Sequence, residues 1–191
     1  ACASSNIPTS ADIDPAGDDG ETDNNSKHFG VVTYTGNGGS NAITGLGFQP
    51  DLVWGKCISA SQTNILIDSS RGQGLLFSSL DNAEQTSNGP FMTSYDSDGF
   101  TLASSGSNPN DNGRSYVAWC WKAGGASTSS NSSGSITSTV QANTKSGFSI
   151  MTYTGTGSNA TIGHGLSAKP DFILTKRRSS EQTWGVYHTS L

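Results

Sequence analysis

The 191-residue sequence is poor in both charged and hydrophobic side chains. Charged residues make up 13 % of the chain and hydrophobic residues 32 %, against about 25 % and 45–50 % in an average globular domain. The low charge argues against a disordered protein, whose composition is usually charge-rich. Gly, Ser, Thr and Asn are abundant and are poor formers of helix interiors. This composition therefore predicts short β-strands joined by many turns.

The sequence also has few basic residues and no long hydrophobic run. Its formal net charge is −5, and its one basic cluster is Lys176–Arg178. Such a chain offers little attraction to a phosphate backbone, so we predict no nucleic-acid partner. No stretch approaches the roughly 18 apolar residues of a membrane span, and residues 1–27 do not read as a secretory signal. We therefore predict no membrane insertion.

The three cysteines, Cys2, Cys57 and Cys120, are widely spaced. Their odd number and spacing fit neither a disulfide framework nor a zinc-binding pattern. Cys120 lies within an apolar, strand-like run, so we expect it to act as a small buried hydrophobic residue.

Motifs that carry catalysis or cofactor binding are missing. The sequence has no G-x-S-x-G nucleophile elbow and no P-loop, H-E-x-x-H or C-x-x-C motif. Its histidines, His28, His164 and His188, do not recur between the two related segments described next. We predict no catalytic residue and no cofactor, and we interpret the histidines as turn or surface residues.

One phrase occurs twice in the chain. "TYTGNGGSNAITGLGFQPDLV" begins at Thr33, and "TYTGTGSNATIGHGLSAKPDFI" begins at Thr152. Both consist of turn residues between short apolar runs and hold no obvious reactive group. We interpret the phrase as a building unit of the fold. The second occurrence has no counterpart of Leu75–Lys122, so we expect either a longer chain or a partner to cover the incomplete unit.

The pattern along the chain predicts an all-β fold. Short apolar segments recur at roughly 8–12-residue spacing, which is typical of an antiparallel sandwich or barrel. Asp98-Gly99 marks a hairpin turn, and Ser115–Lys122 is the clearest strand, apolar on both faces and therefore central. A helical turn is an option around "LDNAEQT". We expect an antiparallel, jelly-roll-like β-sandwich followed by the first half of a second, homologous module.

These features divide the chain into four segments. We expect a polar, acidic linker or docking arm at 1–28 and a first β-sandwich module at 29–125. A Ser/Thr-rich connector, with the option of one strand, follows at 126–146, and a truncated second copy of the module at 147–191.

Two groups of residues are weak candidates for binding sites. Asp96 and Asp98 resemble the start of a calcium loop, but the twelfth position, where such a loop needs Glu, is Ser107; a hairpin turn is the preferred reading. Trp119 and Trp121 share one strand face, for which core packing is favoured over sugar stacking. The remaining candidates for ligand binding are Trp184, Arg177 and Arg178.

Several phrases together resemble a repeated domain of uncharacterised structural proteins of marine bacteriophages. They are "TYTGNG", "GLGFQPDLVW", "LDNAEQT", "SYDSDGFTL" and "YVAWCWKAGG", and the resemblance extends from Phe29 to Leu191. "HGLSAKPDFILTK" is also similar to strand–turn–strand units of phage tail-fibre tips. The resemblance implies a virion component, such as a fibre, spike or other appendage, and supplies no catalytic residues.

We therefore expect a non-enzymatic structural protein of the extracellular phage particle, involved in host attachment. Its expected partners are other copies of itself, with a trimer favoured, and other virion proteins. Two alternatives stay open: a carbohydrate-binding module that recognises host surface glycans, and a capsid decoration or cement protein. A hydrolase ranks last, because no convergent acid–base set is visible.

Overall fold

The computed structural model describes residues 27–86, 90–104 and 108–191, and within them it contains only β-strands and irregular structure, without an α-helix. This confirms the all-β prediction. The described residues contain no helix that could span a membrane. In chain order the strands are β1 (Phe29–Thr35), β2 (Asn41–Thr44), β3 (Leu52–Cys57), β4 (Ile65–Asp68), β5 (Leu76–Phe77), β6 (Met92–Asp96), β7 (Gly99–Leu102), β8 (Ser115–Trp121), β9 (Ser129–Asn131), β10 (Ser138–Asn143), β11 (Phe148–Tyr153), β12 (Phe172–Thr175) and β13 (Gly185–His188).

The largest sheet has five antiparallel strands in the order β1-β8-β3-β4-β5. Strand β8 is central, because it pairs with β1 on one edge and with β3 on the other. Its sequence explains this position: the strand carries no charged residue and is apolar on both faces. Tyr116, Ala118 and Cys120 are fully buried on one face, as expected for Cys120.

A second sheet has the order β2-β7-β6. Its hairpin β6–β7 lies in the segment where a hairpin was predicted; the turn residues are Ser97 and Asp98, and Asp96 pairs with Gly99 across the turn. Gly99 is required by a close approach between strands, because a side chain there would collide with the carbonyl oxygen of Ile43.

Side chains from both sheets form one buried hydrophobic cluster. Fully burying one such side chain contributes roughly 1.5–3 kcal/mol, so this cluster dominates the stability of residues 29–125. The loop between β2 and β3 also contributes. The members of the cluster are Ile43, Leu46, Phe48, Val53, Ile65, Ile67, Leu75, Phe91, Met92, Phe100, Leu102, Ala118 and Cys120.

Strands β9 to β13 form two smaller sheets. The order β11-β10-β9 gives a three-stranded antiparallel sheet, and β12 pairs with β13 in a two-stranded hairpin. The β12–β13 register repeats that of β3–β4 at a distance of 120 residues: Leu52 pairs with Asp68, and Phe172 pairs with His188.

Two segments differ in detail from the sequence interpretation. Residues 80–86 form no helical turn; instead Gln85 makes a two-residue bridge with Leu75. Residues 126–146, for which one strand was an option, contain two, β9 and β10. Cys2, most of the arm predicted at 1–28, and Ser107 of the calcium-loop comparison lie outside the described residues.

Candidate functional site

The outer face of the five-stranded sheet carries a row of aromatic and aliphatic side chains. The pairing places Val31, Trp119 and Trp54 side by side on adjacent strands. Phe29 pairs with Trp121 in the neighbouring row. These side chains lie on the face opposite the buried cluster, and we call them the aromatic face.

The aromatic face is partly open to solvent. Val31 is 51 % exposed and Phe29 41 % exposed, while the three tryptophans are half-buried. The ring centroids of Trp54 and Trp119 are 6.1 Å apart and tilted. A contiguous surface of this kind is typical of a protein or ligand contact. Trp119 and Trp121 therefore lie outside the buried hydrophobic cluster, contrary to the prediction that they pack in the core.

Contacts of Trp121 and Trp54 with neighbouring residues reduce the exposed area of the aromatic face. Trp121 lies between Phe29, at 5.0 Å, and Phe148 of β11, which stacks on it at 6.1 Å. Trp54 donates its indole N–H to the hydroxyl of Ser78 at 3.0 Å. The accessible part is therefore centred on Val31 and Trp119.

Trp184, a predicted ligand residue, lies where the β12–β13 loop contacts residues 77–80; we call this contact the joint. It is half-buried, and its indole Nε1–H is shared between the carbonyl oxygens of Phe77, at 2.9 Å, and Leu80, at 3.1 Å. This shared bond fixes the loop between β12 and β13 on the end of β5 and on the segment that follows it. The indole is therefore occupied by a structural contact.

The two arginines beside it have separate roles. Arg178 donates Nε–H to Glu84 at 2.7 Å, and its carbonyl oxygen accepts the N–H of Glu84 at 2.9 Å. Arg177 is exposed and donates to the hydroxyl of Ser180 at 3.3 Å. Sequence reasoning grouped these residues with Trp184 as ligand candidates, whereas the structure joins only Trp184 and Arg178 in one interface.

Glu84 links this joint to a buried ion-pair network. Its other carboxylate oxygen accepts from Nη1 of Arg71, whose Nε donates to Asp68. The side chains of Arg71, Asp68 and Glu84 are 4 %, 6 % and 7 % exposed. Two arginines and two carboxylates thus balance each other, which satisfies charges that would be costly if buried alone.

The two calcium candidates bond within the protein. Asp96 accepts the hydroxyl hydrogen of Thr101 at 2.7 Å. Asp98 accepts the N–H groups of Gly45, at 3.1 Å, and Gly47, at 2.6 Å. No group of three or more His, Cys, Asp or Glu in the described ranges is arranged to hold a metal ion.

Two of the histidines cap turns. Nδ1 of His164 accepts the N–H of Leu166, and Nδ1 of His188 accepts the N–H of Ser190, both at 3.1 Å. These bonds agree with the prediction of turn histidines. His28 lies beside Asn143, whose Nδ2 is 3.0 Å from its Nδ1.

Sequence reasoning missed the most highly bonded carboxylate, Asp51. It is fully buried and accepts four hydrogen bonds, from the hydroxyl of Ser69 at 2.7 Å and from the N–H groups of Ala123, Gly125 and Ala126 at 2.7–2.9 Å. The sequence signal that could have identified Asp51 is the Pro-Asp dipeptide, which occurs in both copies of the repeated phrase.

Gln141 of β10 extends this network. Its amide donates to the hydroxyls of Ser69, at 2.9 Å, and Ser70, at 2.8 Å, and its oxygen accepts the N–H of Ala126 at 2.7 Å. The sheet β9–β11 is therefore attached to residues 29–125 through buried polar groups.

Comparison of the chain with known proteins finds one family and no individual relative. A family model described as "Domain of unknown function (DUF7483)" matches residues 24–191. No curated protein and no solved structure matches the chain.

Proposed function

The chain belongs to the DUF7483 family of domains of unknown function, and we propose that it is a non-enzymatic structural protein of a bacteriophage virion, built from tandem β-sandwich units. The proposed location is a fibre, spike or other appendage that takes part in host attachment. The observation that carries the tandem arrangement is the shared register of β3–β4 and β12–β13.

The sandwich part of the proposal is supported by the buried cluster. Its members come from the five-stranded sheet and from the sheet β2-β7-β6, and two sheets that share one core are the defining feature of a sandwich. The tandem part assigns residues 147–191 to a second, incomplete unit. The order of its strands, β11 then β12–β13, parallels β1 then β3–β4.

A mechanical role is favoured by how the polar side chains are used. Gln141 of the connector, whose strand β10 pairs with β11 of the second unit, bonds to Ser69 and Ser70 of the first unit. Trp184 and Arg178 of the second unit bond to the first unit at another place. Two separate joints resist bending better than one. The phage context comes from the sequence resemblance, and the expected assembly is a homo-oligomer, with a trimer favoured.

The proposal is tested by locating the chain on purified particles. Antibodies against this chain, carrying gold, should label an appendage of virions made by the genome that encodes it. Label at capsid symmetry axes would favour the decoration-protein alternative. Particles that lack the chain by mass spectrometry would contradict a virion role altogether.

The aromatic face favours a second candidate, a carbohydrate-binding module. Trp119 and Trp54 offer adjacent half-buried rings, and aromatic faces commonly stack against apolar faces of ligands. A glycan array should then show binding that Trp119→Ala abolishes and Trp184→Ala, away from this face, leaves intact. Circular dichroism would establish that both variants are folded.

A further inference from the structure

The accessible part of the aromatic face is a row of three side chains that crosses three strands. Val31 of β1 pairs with Trp119 of β8, and Trp119 pairs with Trp54 of β3. Neighbouring strands lie about 4.8 Å apart, so the row spans roughly 10 Å. Val31 is 51 % exposed, and both indoles are half-buried. The row is therefore long enough to contact more than one ring of a ligand.

Two neighbouring segments close the row at its sides. Phe148 of β11 stacks on Trp121, in the next row of the sheet, at 6.1 Å. Leu66 of β4, which pairs with Trp54 on the same face, is only 6 % exposed. A ligand therefore meets the row from the solvent side and extends toward the polar rows at the other end of the strands.

The outward positions of β1, β8 and β3, all of which the structure describes, are almost free of charge. Lys56 is the one charged residue among them, and its Nζ donates to the side-chain oxygen of Asn64 at 3.2 Å. A glycan that carries sulfate or carboxylate groups needs several cations in fixed positions. The face therefore complements an uncharged ligand.

Polar groups lie beside the row. Thr33 and Lys56 pair with Val117 of β8 from its two edges, in the row next to Trp119, and both are exposed. Thr33 offers a hydroxyl group, and Lys56 offers an ammonium group next to an amide. Aromatic rings with a few polar groups beside them are the usual composition of a small-ligand site.

The protein holds the two indoles in place. Trp54 donates its Nε1–H to the hydroxyl of Ser78 at 3.0 Å. Its ring lies 6.1 Å from that of Trp119, and the two ring planes are inclined at 58°. Side chains that are already ordered lose less conformational entropy when a ligand binds. A ligand that stacks on both rings must turn by a similar angle between them.

The row is small for an interface between two proteins. A stable interface takes about 20–30 residues from each partner, whereas this row consists of three side chains and the polar positions beside it. A polysaccharide chain needs only a narrow strip of surface. The size of the row therefore favours a polysaccharide over a second copy of this chain.

We infer that the aromatic face binds an uncharged, unbranched, helical polysaccharide, which stacks one sugar ring on Trp119 and another on Trp54. Sugar rings with equatorial hydroxyls present C–H groups on their flat faces, and such apolar faces pack on aromatic rings. Successive rings of a helical chain turn relative to each other, as the inclined indoles require, whereas those of a flat ribbon do not. Thr33 and Lys56 are placed to bond to hydroxyls at the ring edges. The inference rests on the second candidate function, glycan binding, and names its ligand class.

The test uses the whole 191-residue chain and glucose hexasaccharides that differ in linkage. The β-1,3-linked and α-1,4-linked hexamers supply helical chains, and the β-1,4-linked hexamer supplies a flat one. A sulfated carrageenan hexasaccharide supplies the charged ligand. Isothermal titration should give a dissociation constant of about 0.1–1 mM for at least one helical hexamer, and at least about tenfold weaker binding for the flat and sulfated ones.

The salt dependence is a second measurement on the same complex. Binding of the uncharged hexamer should be the same at about 0.05 M and about 0.5 M sodium chloride, because salt screens only interactions between charges. A loss of affinity at the higher concentration would contradict recognition of an uncharged ligand.

Variants locate the site. Trp119→Ala should abolish binding, and Val31→Glu should weaken it at least about tenfold, because it places a charge beside the apolar ring faces. Val31 is largely exposed on an edge strand, so this variant keeps the test valid if Trp119→Ala does not fold. Tyr187→Ala removes an exposed ring of β13, away from the face, and should bind as the unchanged chain does. Circular dichroism checks the folding of each variant.

The outcomes separate this inference from the functions on which it rests. Equal binding of the flat or the sulfated hexamer, or full binding by folded Trp119→Ala, would overturn the inference and leave glycan binding standing. No binding of any glycan would refute both. A dimer that Val31→Glu dissociates would assign the face to a second copy and overturn the inference. Absence of the chain from virions, with glycan binding intact, would refute only the structural role.

Discussion

The hairpins β3–β4 and β12–β13 have the same pairing in two different environments. Leu66 and Ile67 of β4 are 6 % and 0 % exposed, whereas Val186 and Tyr187, which occupy the same register positions in β13, are 55 % and 42 % exposed. The register is thus compatible with both environments. Local turn and strand patterns fix which residues pair, and the surrounding strands decide how much of the hairpin is buried.

Asp51 and Asp171 show the same difference in environment: Asp51 is buried and Asp171 is exposed. Both carbonyl groups accept an N–H from the end of the hairpin partner. Only the Asp51 carboxylate also organises the chain after β8, through the N–H groups of Ala123, Gly125 and Ala126. The two aspartates are therefore expected to contribute very unequally to stability, although their backbone positions are equivalent.

The largest expected effect is that of Asp51→Ala. The substitution leaves several buried donors without an acceptor, so it should lower the free energy of unfolding by about 3–5 kcal/mol. Asp171→Ala, its matched control, should change it by less than about 0.5 kcal/mol. Urea denaturation measures both. Equal losses would contradict the difference in environment; should Asp51→Ala fail to fold, Asp51→Asn provides a milder comparison.

The next effect compares side chains at equivalent positions. Ile67→Ala removes a fully buried side chain from the hydrophobic cluster and should cost about 2–5 kcal/mol. Tyr187→Ala, at the same place in β13, loses a partly exposed ring 5.9 Å from Nζ of Lys169 and should cost less than about 1 kcal/mol. Thermal unfolding followed by circular dichroism distinguishes them. A larger loss for Tyr187→Ala would mean that β13 is buried in solution.

Alkaline pH provides a third comparison, because buried acidic groups resist ionisation. Burial raises the pKa of Cys120 to about 12 from an ordinary value of 9.0. Burial also raises the pKa of Tyr34 and of Tyr116 on the same face of the sheet. The folded state holds these protons more tightly than the unfolded state, so stability is intact below about pH 9 and falls as pH rises toward 12.

Cys120→Ala isolates the thiol in that experiment. It should reduce the alkaline loss by on the order of 1 kcal/mol at pH 10, and the tyrosines should account for the loss that persists. Urea denaturation at pH 8 and pH 10 measures this difference. An unchanged pH dependence in the variant would exclude the thiol as a contributor.

The smallest effect concerns the joint at Trp184. Trp184→Phe keeps an aromatic ring, although a smaller one, and removes the donor to Phe77 and Leu80, so it should cost less than about 1 kcal/mol. Hydrogen exchange should accelerate in β12–β13 and not in β3–β4. Trp54→Phe, which loses its bond to Ser78, is the matched control and should leave β12–β13 unchanged. Acceleration throughout the chain by Trp184→Phe would contradict a local joint.

Much of the fold could be predicted from short-range patterns. The period-two apolar run of β8 predicted a central strand, and Asp98-Gly99 predicted the β6–β7 hairpin. Strand β10 was harder to recognise, because its buried residues Ser138 and Gln141 are polar. They are buried by partners distant in sequence, which no local pattern reports.

The candidate site was less predictable for the same reason. The sequence showed that β8 is apolar on both faces, but it could not show which face meets the core. The core takes the face with Tyr116, Ala118 and Cys120, while Trp119 and Trp121 lie on the outer face. That choice depends on the volume available between the two sheets.

Residue-resolved hydrogen exchange of the chain alone tests the central claim most directly, through the amides of Trp54 and Leu174. These amides occupy matching positions, and both point away from the hairpin partner. We predict that the Trp54 amide, bonded within the sheet to β8, exchanges only on global unfolding, whereas the Leu174 amide exchanges rapidly. Equally slow exchange of both amides would contradict an open edge on β12.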